Sequence, residues 1–173
     1  MEGLAAPFFI ASALLTLAGG AKLARPESTI GALKSIGLPG TRLIAQMLGL
    51  VEVGIGSIAL IVGGLIPSIA VALSYAGFAG FIVMALRKGG AVSSCGCFGT
   101  EDNPPTVGHL VLNVAAAVVG VGAAIGGLGG IPDVISDQPA FGIPFIGFIT
   151  LGTWLSYLAL SILPTLIPRE VSP

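Results

Sequence analysis

The chain has 173 residues, 54% hydrophobic and only 9% charged, with a formal net charge of −1 and a mean hydropathy of +1.03. A water-soluble domain carries about a quarter charged residues, so seven basic and eight acidic side chains cannot coat a globule of this size. Nucleic acid is excluded as a partner by the few cations, collagen by the aperiodic spacing of the 27 glycines, and disorder by the apolar content. What remains is an all-α integral membrane protein.

A helix crossing the bilayer needs about 20 mainly apolar residues. Five such runs are predicted, at residues 4–23, 43–65, 67–86, 106–128 and 143–163. The runs are continuous rather than alternating, which selects helices over barrel strands. Pro7, Pro67, Pro105 and Pro144 fall at or near helix starts, where a missing N–H is harmless. The expected fold is a five-helix transmembrane bundle, a four-helix core over residues 1–128 followed by an acidic Gly/Pro loop and a fifth helix over 129–173.

The first span has no basic residue before its apolar stretch, the wrong polarity for a secretory signal, and is expected to be retained as a helix. The first connection has room for a short surface helix over 27–36, with Ile30, Leu33 and Ile36 against the membrane interface. In the second span Glu52 stands near the bilayer centre. A carboxylate there costs about 2.5–3.5 kcal/mol on insertion scales. It is therefore a candidate proton relay or polar contact for a quinone head group; the structural alternative is a neutral Glu bonded between helices. Lys22 is expected to snorkel to the interface rather than pair with Glu52, which lies about ten residues, or 15 Å, into its span.

The third connection holds both cysteines, as Cys95-Gly96-Cys97, inside a loop at 93–100. Such a pair can close a small, strained and hence oxidising disulfide. It can also supply half of a tetrahedral zinc site, whose other ligands would have to come from elsewhere because the chain has one His. Inert loop thiols are the third reading. His109 opens the fourth span on the same membrane face, with Asn113 one turn deeper on the same helix face. His109 is a candidate to take a proton from a cysteine or to hold it as thiolate; an ordinary interfacial polar residue is the alternative. The fourth connection, with Asp133 and Asp137, reads as a solvated loop. In the fifth span Trp154 lies too deep for an interfacial belt, as a packing or partner residue. The pairs Ala45/Gly49, Ala76/Gly80 and Gly122/Gly126 have the spacing of close helix contacts.

Lys22, Arg25, Lys34, Arg42, Arg87, Lys88 and Arg169 all fall on one face of a five-span arrangement, and none on the other. The positive-inside rule then places the N-terminus outside, and the C-terminus and the cysteine loop in the cytoplasm, of a multi-pass plasma (inner) membrane protein.

The string Cys95-Gly96-Cys97-Phe98-Gly99, after alternating spans and connections, resembles the signature of the MauE family. Ala18-Gly19-Gly20-Ala21-Lys22-Leu23, Gly37-Leu38-Pro39 and Leu50-Val51-Glu52-Val53-Gly54 look like the pattern of the wider DoxX/MauE group. Asn113 resembles the Asn of an Arg-Asn pair common there, but Leu112 replaces the basic residue. The resemblance covers roughly residues 4–126. It implies a redox-associated membrane protein that supports maturation of a disulfide-rich periplasmic protein beside a thioredoxin-like partner, without implying that this chain handles methylamine. A periplasmic role would put the thiols outside, against the charge count.

Two functions compete. In the first, Cys95 and Cys97 exchange electrons with a thioredoxin-like protein or a quinone, and Glu52 and His109 manage protons. No other cofactor is expected. In the second, the chain is a non-catalytic subunit that assembles a larger membrane complex, as a homo- or hetero-oligomer. A solute transporter fits less well, because five spans form no even inverted repeat.

Overall fold

The structure, a computed structural model, describes residues 2–87, 106–136 and 138–161. The elements are α1 (Ala5–Ala24), α2 (Glu27–Ser35), α3 (Arg42–Ile61), α4 (Leu65–Arg87), α5 (Val107–Gly126), α6 (Ile131–Ser136) and α7 (Ile143–Ser161). Five of them, α1, α3, α4, α5 and α7, are long and apolar enough to cross a membrane. They match the five expected spans to within a few residues at most ends. Polarity runs opposite to that of a soluble domain: Ser12, Lys22, Glu52, Ser68, His109 and Asn113 are buried, while Leu43, Ile66, Leu73, Val118 and Ile125 face outward. A bundle solvated by lipid needs this arrangement, since polar side chains find partners only inside it.

The bundle is built from two closely packed pairs. Helix α3 packs most extensively on α1, and α4 on α5, whereas α3 and α4 touch far less. The α1 side of the first pair is a stripe at Ala5, Phe8, Ser12, Leu15, Gly19 and Lys22; the α3 side is Ala45, Gly49, Glu52, Gly56 and Ala59. Both stripes alternate steps of three and four residues, which keeps a seam facing its partner along two slightly supercoiled helices. In the second pair, the backbone of Gly120 lies against Ala72. Phe8, Phe9, Leu15, Val71, Ala123 and Ile149 form the apolar core between the pairs, and the Tyr75 hydroxyl donates to the Ala11 carbonyl at 2.6 Å, tying α4 to α1. Helix α7 leans on α1.

At one end, the turns after α3 and α5 meet. Gly63 and Gly64 take positive φ values of 62° and 86°, a conformation that glycine adopts without a Cβ penalty. The Gly64 N–H donates to the Leu128 carbonyl at 2.6 Å. The fourth connection is not the plain loop expected: it contains α6. Pro132 sits in its first turn, and Asp133 reaches back to accept the Gly130 N–H at 3.1 Å, satisfying a donor that a helix start leaves open. Asp137 lies outside the described residues.

At the other end, α2 turns Ser28, Thr29 and Ala32 toward the bundle, while Ile30, Leu33 and Ile36 are half-buried. Helix α4 ends and α5 begins at this end.

Candidate functional site

The Lys22 ammonium donates to Glu52 Oε2 at 2.7 Å, with both side chains almost wholly buried, at 3% and 2% exposure. This corrects the expectation that Lys22 snorkels away from Glu52. The two Cα atoms do differ in depth, but side chains lean toward their own helix N-terminus. On antiparallel α1 and α3 that tilt carries Lys22 deeper and Glu52 shallower, so the two converge. Glycine opposite each of them gives the room: a methyl on Gly19 would stand 2.9 Å from Glu52 Cβ, and one on Gly49 would stand 3.0 Å from Lys22 Cβ. The stripes on α1 and α3 were the sequence signal for this pair, because each places its charged residue on the face that meets the other helix.

The Lys22 ammonium also lies 5.3 Å from the centre of the Phe78 ring, within cation–π range. Glu52 therefore uses Oε2 on Lys22, while Oε1 is buried with no hydrogen-bond partner. Beside the pair is a cavity of about 310 Å³, lined by residues of α2, α3 and α4 as well as Lys22.

His109 is buried at the start of α5. Thr106 caps that helix, its hydroxyl accepting the His109 backbone N–H at 3.4 Å and lying 2.8 Å from Nδ1. Nε2 is 3.0 Å from the Leu160 carbonyl on α7. A carbonyl only accepts, so Nε2 carries a hydrogen; in the neutral ring, Nδ1 then accepts from Thr106. Asn113 shares the buried face, as expected, and its Nδ2 donates to the His109 carbonyl at 2.6 Å. Neither Thr106 nor the α7 carbonyl was found by sequence reasoning. Thr106 had a signal, as the hydroxyl residue just before a helix; the carbonyl had none.

The two groups meet. A small void of about 30 Å³ is lined by Lys22, Tyr75, Phe78, His109, Asn113 and Leu160 among others. Lys22, which holds Glu52, thus borders the same small void as His109 and Asn113, at the end of the bundle where α4 ends and α5 begins. Cys95 and Cys97 lie outside the described residues. Among the described residues, no three His, Cys, Asp or Glu side chains gather as a metal site requires. Trp154 is exposed and stacks on Tyr157 at a centroid distance of 6.1 Å, beside an open groove between α1 and α7. Of the three small-residue pairs, Ala45/Gly49 faces α1, whereas Ala76 and Gly80 lie on the exposed face of α4.

No curated protein and no solved structure matches the chain. The family model described as methylamine utilisation protein MauE does, over residues 3–129, which takes in α1 to α5 and with them the buried ion pair, the capped histidine and the cysteine segment. This multi-pass membrane protein therefore belongs to the MauE family.

Proposed function

We propose that the protein carries out thiol–disulfide exchange through Cys95 and Cys97, in support of the maturation of a partner protein. The observation that supports this best is the void bordered by Lys22, His109 and Asn113, with Glu52 paired to Lys22, at the end of the bundle between the end of α4 and the start of α5, the two ends that the cysteine-bearing segment connects in sequence. In the exchange, one cysteine thiolate attacks the partner's disulfide and releases one partner thiol. The second cysteine then attacks the mixed disulfide, and the Cys95–Cys97 bond forms as the partner's second thiol leaves. Two electrons pass to the partner, and the protons lost by the two cysteines equal those gained by the two partner sulfurs. The reverse reaction delivers a disulfide. A thioredoxin-like protein is the partner class, His109 and the Lys22–Glu52 pair take up and return protons, and the site lies in the plasma membrane. Residues 1–128 form the redox core, and residues 129–173 add the fifth helix.

A second reading is favoured by the exposed Trp154–Tyr157 stack: a subunit that docks α7 in a larger membrane complex without chemistry of its own. Thiol trapping separates the two. Membranes are alkylated with a mass-shifting maleimide before and after reduction, and the partner's thiol–disulfide state is scored in Cys95→Ser and Cys97→Ser variants. The exchange reading expects a reducible Cys95–Cys97 pair and, in both variants, loss of the exchange that changes the partner's thiol–disulfide state. Thiols that stay reduced throughout, with Ser variants fully functional, leave the assembly reading standing alone.

A further inference from the structure

The cavity beside the ion pair opens sideways, at bilayer depth. It lies where α3 and α4 separate beneath α2, and its walls include Leu33, Leu48, Val51, Leu73, Phe78 and Phe81. Val51 and Leu73 are 52% and 67% exposed and stand in the middle thirds of their helices. The solvent that meets this opening is therefore hydrocarbon, not water. Polar side chains in the walls are already engaged: the Ser74 hydroxyl donates to the Ala70 carbonyl at 2.8 Å, Lys22 holds Glu52, and Thr29 is also partnered. The interior suits an apolar occupant.

The end of the bundle above the cavity is basic. Arg25, Lys34 on α2, Arg42 at the start of α3 and Arg87 at the end of α4 are exposed there. Against them stands one exposed acid among the described residues, Glu27. Arg42 lies six residues, about 9 Å, above the wall residue Leu48, and Arg87 the same distance above Phe81. The cavity thus begins just below the cations and runs down through one leaflet, whose hydrocarbon is about 15 Å deep.

From this geometry we infer that the cavity takes an acyl chain of an anionic phospholipid, whose phosphate rests at the level of Arg42 and Arg87. These two cations end the helices between which the chain enters. A phospholipid carries hydrocarbon directly beneath a phosphate, which is the order of the features here. A transmembrane helix, about 10 Å across, is too thick for a space of about 310 Å³ roofed by α2. An apolar molecule without a headgroup would fill the walls and leave the cations unused. Each Lys or Arg near the surface strengthens attraction to an anionic lipid about fivefold. Occupancy of the cavity rests on neither reading of the protein's function.

Native mass spectrometry of the full chain in mild detergent tests this, by separate titration with dioleoyl phosphatidylglycerol and dioleoyl phosphatidylcholine, which share their chains. The wild-type protein is expected to take one phosphatidylglycerol at a saturable site, about tenfold or more tighter than phosphatidylcholine. Arg42→Gln with Arg87→Gln should bring phosphatidylglycerol down to the phosphatidylcholine level. Gly77→Leu is the second variant, because Gly77 lines the cavity with open space around an added side chain. It should abolish the tight site while a circular-dichroism melt shows the protein folded. Equal wild-type affinity for the two lipids, or phosphatidylglycerol binding unchanged in Gly77→Leu, overturns the assignment. So does displacement by glycerophosphoglycerol, the chain-free headgroup, or by ubiquinone-2, which has a tail and no phosphate. A dimer that Gly77→Leu removes would instead give the cavity to a second copy of the chain.

Discussion

Gly19 on α1 and Gly49 on α3 face each other so closely that a methyl on Gly19 would stand 2.5 Å from the Gly49 carbonyl oxygen, and one on Gly49 2.7 Å from the Gly19 carbonyl oxygen. Neither backbone can give way without parting the helices, and the Lys22–Glu52 pair sits on that seam. Gly49→Ala is therefore expected to destabilise the folded protein by about 1–3 kcal/mol, the usual cost of overpacking. Gly54→Ala on the same helix has open space around its added methyl and should be neutral or stabilising by up to about 1 kcal/mol. Reversible unfolding in mixed micelles measures both; equal effects would mean the seam is not the tight contact described.

The ion pair makes its own prediction. Removing one member leaves the other buried and uncompensated, at a cost of about 3–5 kcal/mol, while removing both is often nearly neutral. Lys22→Met should thus be strongly destabilising, and Lys22→Met with Glu52→Gln should recover most of the loss. A double-mutant cycle in the same unfolding assay gives the coupling directly. Additive losses would show that the two side chains do not depend on each other.

The spans were legible because run length alone decides what crosses a bilayer, and prolines mark the starts. The pairing was less so. Depth read from Cα positions ignores the lean of side chains on antiparallel helices, and so sets Lys22 and Glu52 apart. The two stripes, at residues 8, 12, 15, 19 and 22 and at 45, 49, 52, 56 and 59, would have joined them. The cavity could not be read at all, since it arises where α3 and α4 diverge, a property of how two helix pairs dock rather than of any segment. The α6 helix was missed because six residues carry too little periodicity to outweigh a Gly/Pro-rich setting.

At the start of α5, Thr106 serves both the helix and the histidine ring. Thr106→Val should cost about 1 kcal/mol as a lost cap and speed amide exchange over residues 107–109, while Thr106→Ser restores the wild-type pattern. Nitrogen-15 spectra of the imidazole should show the proton on Nε2 in the wild type, held there by the Leu160 carbonyl. A neutral ring protonated at Nδ1 would contradict that arrangement.

Orientation decides what the cysteine pair can do. Lys22 is spent inside the bundle on Glu52, so it no longer marks a membrane face, but the other six basic residues still fall on the side expected to be cytoplasmic. An impermeant maleimide added to intact cells should therefore miss Cys95 and Cys97 and reach them only after permeabilisation. In a Cys95→Ser/Cys97→Ser background, Ser136→Cys, exposed at the end of α6 on the opposite face, should label from outside without permeabilisation. The thiols would then meet a reducing pool, and the pair would act as an entry point for electrons crossing toward the far side. The reverse labelling pattern would invert the bundle. It would place the cysteines where disulfides persist, and the direction of exchange would change from collecting electrons in the cytoplasm to removing them from proteins outside.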